Sequence, residues 1–153
     1  MTALLSDIFQ VRQDTTLFRD NGEAYNHVCK KVQEFSSLED NWDSYDGLAP
    51  TKAALLGAQQ LASAVFNDDV PRPYVFPVPN GSVQIQWSCR NLEVEIEVVS
   101  FDKIHLYLED LTTGFTIEEE CTIDFSAISN AVADLASRPD NNSTSSPNLT
   151  VIY

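Results

Sequence analysis

Hydrophobic residues in this chain first recur at the spacing of an α-helix. Asp20 and Glu23 form a capping box in front of the first apolar stripe, and together they predict a helix over about residues 20–36. Thr51 can cap a second helix, which the polar and proline residues of the segment 67–73 end. The two stripes consist of Tyr25, Val28, Val32 and Phe35, and of Leu55, Ala58, Leu61, Ala62, Val65 and Phe66.

A third stripe at helical spacing lies nearer the C-terminus. It consists of Phe125, Ile128, Val132 and Leu135. Either Asp124 or Ser126 can cap this helix. Beyond Arg138 the chain has too little apolar surface to fold. We therefore expect a single domain over residues 1–138 and a flexible tail over residues 139–153.

Between the second and third helices, apolar residues alternate with polar ones, which is the pattern of half-buried β-strands. Val83, Ile85 and Trp87, for example, alternate with Gln84 and Gln86. The predicted strands cover residues 74–78, 82–87, 92–99, 103–109 and 115–123. The sequence therefore predicts an α+β fold, in which an antiparallel meander of four to five strands carries two N-terminal helices and one C-terminal helix on one face.

The dipeptide Asn80-Gly81 predicts the turn between the first two strands. Both residue types tolerate the positive φ that a type I′ turn requires. Pro73, Pro77 and Pro79 cannot donate a hydrogen bond to a neighbouring strand, so the first strand is expected at an edge of the sheet.

The charge of the chain is strongly negative, with 23 Asp and Glu against 9 Lys and Arg and a net charge of −14. Such a field repels nucleic acid phosphates and anionic membrane surfaces, and it speeds the encounter with basic partners. Direct nucleic acid binding and membrane binding are therefore not expected. Solubility alone is the other explanation of the charge.

The acidic residues concentrate on one predicted face. Alternation places Glu93, Glu95 and Glu97 on the same side of one strand, and like charges in such a row destabilise a sheet unless neighbours or a partner neutralise them. Two alternatives remain open: a cross-strand lattice with residues of the strand 103–109, namely Lys103, His105 and Tyr107, or a binding surface. The candidate partner-binding residues are Glu93, Glu95, Glu97, Glu118, Glu120, Asp43 and Asp46.

Other acids raise the question of a metal site or a catalytic site. Asp43 and Asp46 lie in one loop, but the ligand spacing of an EF-hand around Gly47 does not fit, and a solvated turn is the alternative. Glu119 is the one strand acid that alternation places on the apolar side, where a β-bulge that turns it outward is the expected explanation. No catalytic residue, metal or cofactor is predicted.

The remaining chemistry points to an intracellular protein. Cys29, Cys89 and Cys121 are widely spaced and contain no CxxC motif, which indicates neither a disulfide framework nor a zinc site and favours the reducing cytoplasm. There is no run of eighteen apolar residues that would span a membrane. Trp42 and Trp87 are expected to be buried core anchors.

A Trp-Asp-x-Tyr turn, an Ala-Pro helix start, a Pro-x-Pro-x-Gly-x-Val-x-φ-x-Trp hairpin (φ apolar) and a Leu-Glu-φ-Glu-φ strand cover about residues 38–99. Together these motifs resemble a loose group of small prokaryotic and mobile-element proteins. The residues are Trp42, Asp43, Tyr45, Ala49, Pro50, Pro77, Pro79, Gly81, Val83, Ile85, Trp87 and the strand 92–96. Asp46 stands where Gly is expected after the Tyr, so the turn is expected to be one residue longer. The group brings no active site to this chain.

Three functions are compatible with these observations. The first is a non-enzymatic acidic protein that engages the basic surface of a nucleic-acid-handling protein, as an antitoxin-like or anti-defence inhibitor, which the resemblance to mobile-element proteins implies. The second is a structural subunit that docks through an apolar N-terminal segment at residues 4–11. The third is a small hydrolase that uses Glu119, or Asp43 with Asp46.

Overall fold

The computed structural model describes residues 22–122 and 124–140, which contain three helices and five strands. In chain order the elements are α1 (Gly22–Phe35), α2 (Lys52–Val65), β1 (Tyr74–Pro77), β2 (Val83–Cys89), β3 (Leu92–Ser100), β4 (Lys103–Asp110), β5 (Thr116–Cys121) and α3 (Ser126–Ser137). The strands form one antiparallel sheet in sequence order. The predicted α+β fold with a β-meander is therefore confirmed.

The core lies between the helices and one face of the sheet. In the central row, Val75, Ile85, Ile96 and Leu106 pair across four strands, and all four side chains are buried. Trp87 belongs to the same face, is 1% exposed, and donates its indole N–H to the Pro71 carbonyl oxygen over 2.7 Å. The alternation of apolar residues thus determines which face the helices cover, because only that face gains by losing contact with water.

One of the two predicted side-chain helix caps is present in the described residues. Thr51 Oγ1 accepts a hydrogen bond from the backbone N–H of Ala54 over 3.0 Å. The cap predicted for α3 at Asp124 or Ser126 is wrong, because the N-cap residue is Phe125 and no side chain caps the helix. Asp124 Oδ1 instead accepts a hydrogen bond from the N–H of Ser126 over 2.9 Å, in a turn just before the helix. Asp20 lies outside the described residues, and so does the predicted capping box.

The first hairpin turn differs from the predicted type I′ turn. Gly81 has a φ of +93°, but Asn80 is not among the residues with positive φ. The N–H of Gly81 donates to the Val78 carbonyl oxygen over 2.8 Å. The N–H of Val78 donates to the Ser82 carbonyl oxygen over 2.9 Å. This is a three-residue loop that ends in a left-handed glycine, so only Gly81 must adopt the conformation that favours glycine.

The two-residue turn with positive φ at both residues occurs at the next hairpin instead. Arg90 and Asn91 have φ values of +57° and +61° between the paired residues Cys89 and Leu92. The Arg90 guanidinium donates to the carbonyl oxygen of Leu135 at the end of α3 over 2.8 Å. That bond to α3 helps to hold Arg90 in the left-handed conformation, which residues other than glycine rarely adopt.

The edges of the sheet are protected in two different ways. The predicted edge strand β1 is confirmed as an edge, and it is short and ends at Pro77. The other edge is β5, where Glu118, Glu119 and Glu120 are exposed. Prolines and charges at sheet edges oppose pairing with a second molecule.

The β-bulge expected at Glu119 is absent. The register between β4 and β5 is continuous, with Glu119 opposite Leu106, so Glu119 lies on the inner side of the sheet. It is exposed there because β5 is the outermost strand. The irregularity of the sheet lies between β3 and β4, at Val98 and Ser100.

The described chain continues past Arg138 to Asp140, which forms an ion pair with Arg90 at 2.8 Å. Residues 141–153, most of the predicted tail, lie outside the described residues. The three cysteines are free. Among the described helices, none combines the length and the hydropathy needed to cross a membrane.

Candidate functional site

The outer face of the sheet, turned away from the helices, carries most of the predicted binding residues. Its glutamates are Glu93, Glu95, Glu97, Glu109, Glu118 and Glu120. This set is termed the acidic face. The three residues on β3 are half-buried, whereas the two on β5 are exposed. The predicted glutamates of two separate strands therefore lie on one surface.

The pairing register arranges these carboxylates in rows across the sheet. In one row Glu95, Tyr107 and Glu118 are directly opposite one another on β3, β4 and β5. The row beside it contains Glu97, His105 and Glu120 in the same way. Carboxylates are therefore about 7 Å apart along a strand and about 10 Å apart across β4, with an aromatic ring between them in each row.

These two rows surround an open depression of about 520 Å³ on the outer face. Glu95 and Glu97 line one side, and Glu118 and Glu120 line the other. A cation inside the depression lies within one Debye length, about 8 Å at physiological salt, of carboxylates on both sides, so their fields add there. The depression is suited to cationic groups.

The predicted cation lattice is only weakly developed. His105 Nδ1 lies 3.7 Å from Glu120 Oε1, which among the described residues is the only contact between a basic side chain and a carboxylate on the acidic face, and it is an ion pair only when the imidazole is protonated. Lys103 is exposed at the start of β4, opposite Ser100, and forms no ion pair with the described residues. Protein cations therefore leave most of the negative charge of the face uncompensated.

Neutral donors hydrogen-bond three of the carboxylates instead. Ser88 donates its hydroxyl proton to Glu93, and Tyr107 donates its own to Glu109 over 3.0 Å. Glu97 Oε2 accepts from Ser82 Oγ over 2.6 Å and from the amide of Asn80 over 2.9 Å. Such bonds orient a carboxylate without removing its charge.

The hydrogen bonds of Glu97 also keep it ionised. The Ser82 hydroxyl, and after it the Asn80 amide, lower the pKa of this carboxyl below its ordinary value of 4.5. Ser82 is buried, at 2% exposure, and is held by the hairpin turn. The turn therefore contributes to the charge of the face as well as to its shape.

Sequence reasoning missed Glu109. It lies directly opposite Glu93, so that two carboxylates form a cross-strand pair. Glu109 follows His105 and Tyr107 at the alternation of β4, and that spacing was the signal that could have identified it. Its position opposite Glu93 depends on the register, which the sequence does not give.

Aromatic and amide groups border the acidic face on the β1 side. Tyr74 pairs with Gln86 and Phe76 with Gln84, so all four lie on the outer side. Tyr74 is 68% exposed and Phe76 is 39% exposed. Exposed rings beside a charged surface are typical of protein interfaces, whose cores are enriched in Tyr and Phe.

Asp43 lies in a loop that organises itself. Its Oδ1 atom accepts hydrogen bonds from the N–H groups of Tyr45 and Gly47, at 2.9 and 2.8 Å. These bonds, the one from Tyr45 first, lower the pKa of the Asp43 carboxyl. A Cβ atom at Gly47 would lie 2.6 Å from Asp43 Oδ2, so a larger residue there would displace the Asp43 carboxylate from these bonds. Asp43 thus has a structural role in the turn.

The same loop touches the sheet at the hairpin turn. The N–H of Leu48 donates to the Pro79 carbonyl oxygen over 2.8 Å, and the N–H of Thr51 donates to the Gly81 carbonyl oxygen over 3.0 Å. The Trp-Asp-x-Tyr turn and the Pro-x-Pro hairpin, two of the motifs in residues 38–99, are therefore in contact. Asp46 is exposed in this loop, and within the described chain no hydrogen bond or ion pair joins Asp43 or Asp46 to the acidic face.

Trp42 is not the core anchor that the sequence predicted. It is half-buried, is not part of the hydrophobic core, and donates its indole N–H to the Leu48 carbonyl oxygen over 2.7 Å. The ring therefore stabilises the loop 42–48 through this bond and does not contribute to the core.

The residues proposed for hydrolysis lie apart from any buried site. Glu119 is exposed at the edge strand, and Asp43 is engaged by the backbone of its own turn. Over residues 22–122 and 124–140, no group of three or more His, Cys, Asp or Glu side chains has the geometry to hold a metal ion.

Comparison with protein-family models, with curated proteins and with solved structures gives no match for this chain.

Proposed function

We propose that this protein is a non-enzymatic binding protein whose acidic face engages a basic surface of another protein. The observation that carries the proposal is the cross-strand register. It places Glu95, Tyr107 and Glu118 in one row across β3, β4 and β5, and Glu97, His105 and Glu120 in the next row. Four carboxylates thereby surround one depression. Such a surface attracts Lys and Arg side chains from a distance and orients them on contact.

The energetics of the face favour a partner over a purely solubilising role. Carboxylates such as Glu93 and Glu109, placed directly opposite each other, destabilise a sheet, typically by a few tenths to 1 kcal/mol. Acids that serve solubility need no such arrangement and can be dispersed over the surface. A cationic partner neutralises these carboxylates. Its binding is therefore favoured, because it removes a charge repulsion that destabilises the free protein.

In its most concrete form, we propose an antitoxin-like or anti-defence inhibitor that occupies the nucleic-acid groove of its target. A groove that binds phosphates is lined by Lys and Arg, and rows of carboxylates about 7 Å apart along a strand complement such a lining. The resemblance of residues 38–99 to mobile-element proteins supports this form. We expect the inhibitor itself to act in the cytoplasm.

The test is the salt dependence of association with the partner, after its capture at low ionic strength and its purification. The association rate constant should fall steeply as salt rises, because charge attraction determines the encounter rate. The double variant Glu95→Gln with Glu118→Gln should associate several-fold more slowly and with a weaker salt dependence.

A matched control separates the face from the net charge. Asp68→Asn with Asp69→Asn removes the same two charges from an exposed turn remote from the face in sequence, and it should retain the parent's rate and salt dependence within about twofold. Equal effects of the two double variants would mean that only net charge matters, and no effect of either would reject the acidic face as the binding surface.

A further inference from the structure

An apolar groove separates the two N-terminal helices. It has a volume of about 600 Å³ and is lined by α1, by Ser36 directly after it, and by α2. Six of the lining residues carry the argument: Cys29 and Val32 of α1, Ser36 directly after α1, and Leu55, Leu56 and Gln59 of α2. Because no strand contributes to it, this groove is a separate surface from the acidic face.

The groove has the periodicity of a helix-binding site. Its lining recurs at intervals of three, one and three residues on both helices, as in Lys52, Leu55, Leu56 and Gln59. Leu56 is 57% exposed in the middle of α2, whereas its neighbour Leu55 is buried. Two such stripes side by side accept the apolar ridge of a third helix.

We propose that residues 4–11 of the same chain occupy this groove as a short amphipathic helical segment. These residues lie outside the described part of the chain, and their pattern comes from the sequence. Leu4, Ile8 and Val11 recur at intervals of four and three residues, the spacing that the groove accepts, with Leu5 and Phe9 beside them.

The connection to α1 is long enough for this docking. Ten residues, 12–21, separate Val11 from Gly22. An extended chain of that length spans at most about 33–36 Å, whereas the rise along α1 from Gly22 to Val32 is about 15 Å. A tether of this kind gives an effective concentration in the millimolar range, so a segment with weak intrinsic affinity still occupies the groove.

Cys29 provides a direct measure of occupancy, because it lines the groove and its thiol is free. The experiment alkylates the full-length chain with iodoacetamide and follows each cysteine by peptide mapping. Cys89, outside the groove, is the internal reference, and the buried Cys121 reports whether the fold is intact.

The informative variant is Ile8→Asp, which places a charge on the apolar side of the segment. Docking that is worth about 1.4 kcal/mol corresponds to an equilibrium constant of about ten, which leaves the groove open for about a tenth of the time, so Cys29 should react about tenfold faster in this variant than in the parent. Ser6→Asp introduces the same side chain on the polar side of the segment, and there the rate at Cys29 should stay at the parent's value.

A rate at Cys29 that is the same in the parent, in Ile8→Asp and in Ser6→Asp would overturn the proposal. A parent rate that falls as the protein concentration rises would also overturn it, since the segment would then occupy the groove of a second copy. Faster alkylation of Cys29 in Ile8→Asp, independent of concentration and with Cys89 and Cys121 unchanged, is the supporting result.

Discussion

The hydroxyl group of Ser82 donates a hydrogen bond to Glu97 Oε2 over 2.6 Å, and this bond links the first hairpin turn to the acidic face. Ser82 is the one polar residue among the buried residues that the structure describes, and Glu97 lies on β3, the central strand of the sheet. The turn therefore has two structural roles, because it reverses the chain and it orients a carboxylate on the surface that we propose for partner binding.

This bond gives the fold a pH dependence with a definite sign. The folded pKa of Glu97 lies below its unfolded value, so the ionised carboxylate stabilises the fold above an unfolded pKa of 4.5, and that contribution disappears as the pH falls through the folded pKa. We expect Glu97→Gln to destabilise the protein by about 1 kcal/mol at neutral pH and by little below the folded pKa. Urea unfolding at a series of pH values measures the difference.

The matched control for Glu97 is Glu118→Gln, because Glu118 is exposed on the same face. Its free energy of unfolding should stay within about 0.5 kcal/mol of the parent value at neutral pH. A loss of stability in Glu97→Gln that remains constant down to acidic pH would contradict the assignment, since the loss would then not come from the charge.

The two tryptophans should respond differently to truncation. Trp87 is 1% exposed, so Trp87→Ala should lower the free energy of unfolding by about 3–5 kcal/mol, as truncation of a buried aromatic residue does. Trp42 is half-buried and outside the core, so Trp42→Ala should lower it by about 1–2 kcal/mol, mainly through the bond to Leu48. Equal losses in chemical denaturation would contradict the different burial of the two rings.

Gly57→Ala should lower the free energy of unfolding, although alanine usually stabilises a helix relative to glycine. Alanine is favoured over glycine by about 1 kcal/mol in a helix interior. At Gly57, however, a Cβ atom would lie 2.8 Å from the backbone nitrogen of Phe101 and 2.9 Å from the carbonyl carbon of Ser100. We expect a net destabilisation of about 1–3 kcal/mol, because β3 must move away from α2.

Thermal unfolding measures this effect, with Gln60→Ala as the control on the exposed side of the same helix. That substitution should change stability by no more than about 0.5 kcal/mol. A Gly57→Ala variant that melts above the parent would show that α2 and β3 are further apart than the structure places them.

The pair of Glu93 and Glu109 predicts a stabilising substitution. Because the two carboxylates are directly opposite each other, Glu109→Gln should raise the free energy of unfolding by about 0.2–1 kcal/mol at low salt. The gain should shrink at high salt, where the repulsion is screened. Unfolding curves at two ionic strengths test this, and a gain of equal size in both would point to a cause other than charge.

The sequence by itself determined the elements and the outer face. The change from helical to alternating periodicity predicted all three helices and all five strands, because side-chain burial follows the geometry of each element. The same alternation predicted that Glu93, Glu95 and Glu97 share one side of a strand. Thr51 was predictable as a cap for a similar reason, since capping depends on a few neighbouring residues.

Only the tertiary structure decided the features that depend on distant parts of the chain. Arg90 adopts a positive φ while its guanidinium bonds to Leu135, 45 residues away, and no local signal indicates such a turn. Glu119 is exposed because β5 is an edge strand of the sheet that the structure describes, and Glu109 opposes Glu93 because the register of β3 and β4 places it there. Local periodicity specifies which side a residue faces, whereas its partner across the sheet depends on how the strands align, and that alignment minimises the free energy of the whole core.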